Sequence, residues 1–148
     1  MGKTTKKGSE ELKPKDYLSQ IRRYDVLIEQ KIKERDELKK YDISAVSYGT
    51  ERVSVSPTCE APQVRTLEKI IEYEAEINKL IDELYYTRRL IIKQIQSMRP
   101  LEYVKLLYKR YVEYKRLEEI AVEMNYSYTH IRHLHGEALA KFGKEYLQ

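Results

Sequence analysis

The side chains best suited to chemistry crowd into one stretch near the C-terminus: Ser127, Tyr128, Thr129, His130, Arg132, His133 and His135. They offer hydroxyls, imidazoles and a guanidinium, all of which donate hydrogen bonds. From Asn125 through Gly136 there is no Asp or Glu, so the stretch is locally positive in a chain that otherwise interleaves charges of both signs. Arg132 is able to make paired hydrogen bonds to a guanine edge. This chemistry is recognition of a polyanion, not the making or breaking of bonds.

Two other uses of these residues are weaker. His130, His133 and His135 lie close enough to raise the question of a metal, and His130 with His133 would share a helix face. A third and fourth ligand at suitable spacing are missing, because no Cys is near and the closest acid is Glu137. No Gly-rich phosphate loop, nucleophile elbow or isolated pair of acids occurs. Most carboxylates alternate with Lys and Arg at three- or four-residue spacing, as on solvated helix faces. The chain is therefore expected not to be an enzyme and to need no metal or other cofactor. The histidines instead predict that binding to DNA strengthens between pH 8 and pH 6, as imidazoles gain charge beside the phosphates, with His130 a candidate contact to the backbone.

What must position such residues is a pair of short helices joined by a tight turn. The run Leu117-Glu118-Glu119-Ile120-Ala121-Val122-Glu123-Met124-Asn125-Tyr126-Ser127 has the required order. Ala121 is small where a second helix crosses closely, Asn125 tolerates the left-handed conformation of the turn, and Ser127 can cap the next helix. Ile131, Leu134, Ala138, Leu139 and Phe142 then fall at helical spacing and give that helix its buried face. Tyr128, Thr129, Arg132 and His133 are left on its early outward positions, where a recognition helix meets base edges in the major groove. Pro100 interrupts the preceding helix and restricts Arg99, so a boundary is expected there. Leu101, Val104, Leu107, Tyr108 and Tyr111 begin the C-terminal module, which is expected to hold three helices over 99–148.

The rest of the chain is built to hold that module. Its 148 residues carry 28 Lys+Arg against 24 Asp+Glu, a net +4, with 35% charged residues and 41% hydrophobic ones. No membrane span is expected from such a composition. One cysteine, Cys59, excludes an internal disulfide and fits a reducing cytoplasm. Residues 1–13 read as a disordered basic tail with no apolar run of signal-peptide length behind it.

From Pro14 to about Ile43, Tyr17, Ile21, Tyr24, Ile28 and Leu38 form an amphipathic stripe; Leu67, Ile70, Ile77, Ile81, Leu84, Ile91, Ile95 and Met98 form a second, near-heptad one. The two predict a long antiparallel, coiled-coil-like hairpin over 14–98 with a flexible connection at 44–63. Within that connection Glu51–Val55 alternates in the manner of a short edge strand. Most of the fourteen tyrosines fall on seams, Tyr17 and Tyr24 in the hairpin and Tyr108 and Tyr111 in the module, leaving Tyr128 as a nucleic-acid contact.

Leu106-Leu107-Tyr108-Lys109-Arg110-Tyr111, Leu117-Glu118-Glu119-Ile120-Ala121, Tyr126-Ser127, Ile131 and Ala138-Leu139 together resemble region 4 of the sigma-70 family, which reads the upstream promoter element. With its N-terminal helical pair the whole chain resembles the small sigma-like regulators of phages and prophages related to the RinA and ArpU late-gene activators. The resemblance implies an all-α fold and places Tyr128, Thr129, Arg132 and His133 at base contacts and Ser127 beside a phosphate. It also implies RNA polymerase as a partner and a site of action in the bacterial cytoplasm, on the nucleoid. Where the family has a Gly-containing turn ending in Ser or Thr, this chain has Tyr114-Lys115-Arg116, which makes Arg116 a candidate phosphate contact. Tyr128 and His130 stand where charges are usual, so the base preference does not transfer.

A sequence-specific regulator binding duplex DNA is thus expected, with a homodimer through the hairpin serving paired half-sites. The alternatives are a terminase small-subunit-like protein that recognises a packaging site, and a coiled-coil adaptor that binds protein only.

Overall fold

The computed structural model describes residues 12–47 and 62–147, and every regular element in them is helical. The order is α1 (Pro14–Leu18), α2 (Gln20–Ser47), α3 (Pro62–Ser97), α4 (Leu101–Tyr111), α5 (Leu117–Met124) and α6 (Tyr128–Tyr146). The expected edge strand at 51–55 and most of the N-terminal tail lie outside the described residues. No helix is long and apolar enough to cross a membrane, among the described residues.

The first amphipathic stretch is not one helix from Pro14 to Ile43. It breaks at Ser19, whose hydroxyl donates to the Lys15 carbonyl at 2.7 Å, a local bond that competes with the helical ladder. The chain resumes at Gln20 and stays helical to Ser47, while α3 already begins at Pro62. Residues 44–47 and 62–63 are therefore helical rather than part of the expected 44–63 connection.

Two compact units follow from the packing: Met1–Ile21 with Arg88–Gln148, and Arg22–Thr87. The sequence boundary at Arg99 is a real break between α3 and α4, with Pro100 preceding the first turn of α4. The compact C-terminal unit nevertheless reaches back past it, because both ends of the long-helix region pack into this unit.

In the unit Arg22–Thr87, Ile70 and Ile77 are buried, and Lys31 and Lys39 of α2 pair with Glu76 and Glu74 of α3 at 2.9 and 3.0 Å. As the α2 partner moves towards its C-terminus the α3 partner moves towards its N-terminus, the sense of an antiparallel pair. Leu67 and Ile81 do not join this seam; they are exposed. A straight helix has 3.6 residues per turn, so a wide apolar set spreads over more than one face.

The other unit has its core where α1, the end of α3, and α4 to α6 meet. Leu18, Ile21, Ile91, Ile95, Met98, Leu106, Leu107, Ile120, Ile131 and Phe142 are fully buried there. Leu106, Ile120, Ala121, Ile131 and Leu134 make one cluster that fixes α4, α5 and α6 on one another, with Tyr103, Leu117, Met124 and Tyr126 around it. Tyr17 of α1 stacks obliquely on Phe142 of α6 at 5.9 Å and donates a hydrogen bond to Gln94 Oε1 at 3.0 Å. Removing a side chain as large as Phe142 from such a site costs about 3–5 kcal/mol.

Candidate nucleic-acid interface

The turn between α5 and α6 takes its shape from Asn125, which adopts φ 57° and ψ 39°. Asparagine accepts this left-handed conformation more readily than most residues because its short polar side chain bonds locally. The Asn125 and Tyr126 N–H groups return to carbonyls of α5, at Val122 and Ala121, and close the end of that helix. Ala121 is buried where α5 meets α6, as its small size requires.

Ser127 then starts α6: its Oγ accepts the His130 backbone N–H at 3.2 Å. The cap satisfies one of the donors left over at a helix start. Ile131, Leu134, Ala138 and Phe142 are buried, and Leu139 is half-buried, so the inward face of α6 is the one the spacing predicts.

With that face turned inward, Tyr128, Thr129, Arg132 and His133 are all exposed on the first turns of α6. Thr129, Arg132 and His133 line a shallow hollow of about 160 Å³. The Arg132 guanidinium carbon stands 5.9 Å from the centre of the Tyr128 ring, within cation-π distance. The structure thus brings the four base-contact candidates to one surface.

The backbone candidates fall differently. Ser127 and His130 flank the start of α6, and the His130 ring lies 4.6 Å from that of Tyr126. Arg116 sits at the N-cap of α5 with extended backbone and an exposed side chain. A guanidinium has no acceptor, so Arg116 cannot cap through its side chain. Its backbone N–H instead donates to Glu119 Oε2 at 2.7 Å, which supplies one half of a capping box. The Arg116 side chain makes no cap hydrogen bond to α5.

His135 does not belong with the other two histidines. It is half-buried on the inner side of α6, where its Nε2 meets the Tyr111 hydroxyl at 3.0 Å. Burial pushes its pKa down, and the positive charges of Arg110 and Lys15 push it further in the same direction. Burial likewise pushes the Tyr111 hydroxyl up to about 12. Among the described residues no group of three or more His, Cys, Asp and Glu is arranged to hold a metal ion.

Three supports of this surface left little trace in the sequence. The Tyr126 hydroxyl donates to Glu102 Oε1 at 2.9 Å, tying the turn to the start of α4. Glu123 is held by both Lys109 and Lys115, the latter at 2.7 Å, and hydrogen bonds from these ammonium groups hold its carboxyl below the usual range. Tyr114 takes a positive φ of 59° in the α4–α5 connection, a conformation that Gly adopts far more readily than Tyr. No family model, curated protein or solved structure matches the chain.

Proposed function

We propose that the chain is a sequence-specific regulator that binds duplex DNA and lays the start of α6 in the major groove. The observation that carries this is the exposure of Tyr128, Thr129, Arg132 and His133, drawn from a stretch with no Asp or Glu, on a helix whose opposite face is packed into a core. A helix held that way presents a fixed set of donors to base edges, with Ser127, His130 and Arg116 near enough in the chain to meet the flanking phosphates.

The resemblance to sigma-70 region 4 extends the reading: the regulated genes are those of a phage or prophage, and the DNA-bound module acts with RNA polymerase in the bacterial cytoplasm. Fold likeness alone would not carry a function, so the weight rests on the α6 surface.

The test is selection of bound duplexes from a fragmented bacterial and phage genome at about 150 mM salt, where non-specific phosphate binding is weakened. Enrichment of one promoter-proximal site is expected. Arg132→Ala should cost about 1–3 kcal/mol at that site and relax its base preference. Enrichment of a packaging site would indicate the terminase-like alternative, and enrichment of nothing would indicate the protein adaptor.

A further inference from the structure

The flank of α3 beside its α2 seam carries a second apolar stripe. Val64, Leu67, Ile71, Ile81 and Tyr85 are all exposed, by 44 to 67%. Their spacing is three and four residues in turn, with Glu74 and Asn78 completing the series, so they are the successive a and d positions of three heptads. Val64, Ile71, Asn78 and Tyr85 fall at a; Leu67, Glu74 and Ile81 fall at d. The helix keeps α2 on its Ile70 and Ile77 side, and this stripe lies beside that seam.

We infer that the stripe is the interface of a parallel, in-register dimer of this chain. The residue types favour that occupant over others. β-branched Val64 and Ile71 at a with Leu67 at d is the pattern of a two-stranded parallel coil. Asn78 at an inner a position is the device by which such coils fix register and number of strands, since each Asn amide meets its twin only when the strands are parallel and aligned. An antiparallel pairing sets a positions against d positions, so Asn78 would lose its twin and meet Glu74 or Leu67 of the other copy instead. Glu74 at d would be repelled by its twin, but Lys39 of the same chain holds it at 3.0 Å and neutralises the pair.

The area is sufficient. About half of each of the five side chains lies in water, on the order of 100 Å² apiece, so covering the stripe on two copies removes on the order of 1,000 Å², the lower bound of a specific interface. Two chains so joined carry two α6 surfaces, which is what paired half-sites demand. The dimer itself rests on α3 alone and is measured without DNA, so its failure and that of the DNA reading are separable.

The experiment is sedimentation velocity of the full chain from 1 to 50 µM without DNA, followed by oxidative cross-linking in a Cys59→Ser background. A dimer is expected, together with a disulfide-linked dimer from the single substitution Leu67→Cys. Ile71→Asp with Ile81→Asp should give a monomer whose helical circular dichroism is unchanged, because both side chains are already exposed. Asn78→Ile should keep association but broaden it to more than one oligomeric state. A monomer throughout the concentration range overturns the inference. So does cross-linking of Leu67→Cys chains only when they are mixed with Asn78→Cys or Tyr85→Cys chains, a d position against an a position, the signature of an antiparallel pair.

Discussion

The Tyr111 hydroxyl and Nε2 of His135 meet at 3.0 Å with their rings stacked 5.8 Å apart, joining the end of α4 to the middle of α6. Burial is the largest cause of the histidine's lowered pKa, and the positive charges of Arg110 and Lys15 lower it further; on the tyrosine side burial and Asp16 act upward against Arg110. A histidine whose folded pKa is depressed takes up its proton more readily in the unfolded chain. Its contribution to stability is therefore complete above the ordinary value near 6.5 and is lost as the pH falls below it. Thermal melts at fixed salt should show a fall in Tm between pH 7.5 and 5.5 that His135→Phe removes. Equal slopes for the two proteins would show that His135 is not the group responsible.

The same acidification should act in the opposite direction on DNA binding. His130 and His133 are exposed at the start of α6, on the surface expected to meet DNA. Affinity for a selected duplex is expected to rise from pH 8 to pH 6, where the fold is still intact. His130→Gln with His133→Gln should flatten that rise without lowering the melting temperature, since neither ring is in the core. A flat profile in the unaltered protein at fixed salt would remove both imidazoles from the DNA surface.

Asn125 permits a test of the turn. Its φ of 57° is left-handed, a conformation that costs most residues roughly 1–2 kcal/mol. Asn125→Gly should leave stability within about 0.5 kcal/mol, because Gly adopts this conformation freely. Asn125→Val should lose about 2 kcal/mol, as a β-branched side chain is least tolerant of positive φ. Denaturant titrations of the three proteins measure the difference; comparable stability for Val and Gly would mean that the turn relaxes to another shape.

Much of this turn is legible in the sequence. Pro100, the Leu117–Met124 run, Asn125 and Ser127 are local signals, and local signals decide where helices start, stop and reverse. The outward positions Tyr128, Thr129, Arg132 and His133 followed from Ile131 and Leu134, because helical periodicity assigns the buried face and the exposed face together.

What periodicity does not assign is the partner of a face. Nothing near Tyr17 marks Phe142 as its neighbour, and nothing near His135 marks Tyr111. Leu67 and Ile81 fall in one stripe with Ile70 and Ile77 for the same reason: all are apolar at helical spacing, and only packing shows that Ile70 and Ile77 are buried and the other two are not. The break at Ser19 depends on a hydroxyl choosing its own helix's carbonyl, an interaction of a few tenths to about 1 kcal/mol that sequence pattern leaves undecided.

The two glycines of α6 separate packing from propensity. Gly143 faces Pro14: a Cβ added there would lie 2.7 Å from the proline Cγ, closer than two carbons can approach. A Cβ added at Gly136 would meet nothing within 4 Å. In a helix interior Ala is favoured over Gly by about 0.8–1.0 kcal/mol, so Gly136→Ala should stabilise the protein by up to that amount. Gly143→Ala gains the same preference but must displace a rigid ring attached to the first turn of α1, and overpacking of this kind costs about 1–3 kcal/mol. The two alanine variants should therefore differ by about 1–3 kcal/mol in denaturant titrations, with Gly143→Ala the less stable. If α1 is docked on α6 as the Tyr17 and Phe142 rings indicate, Gly143→Ala should also speed amide exchange across Asp16–Ile21. Equal stabilisation by the two substitutions would mean that Pro14 does not rest on Gly143 in solution.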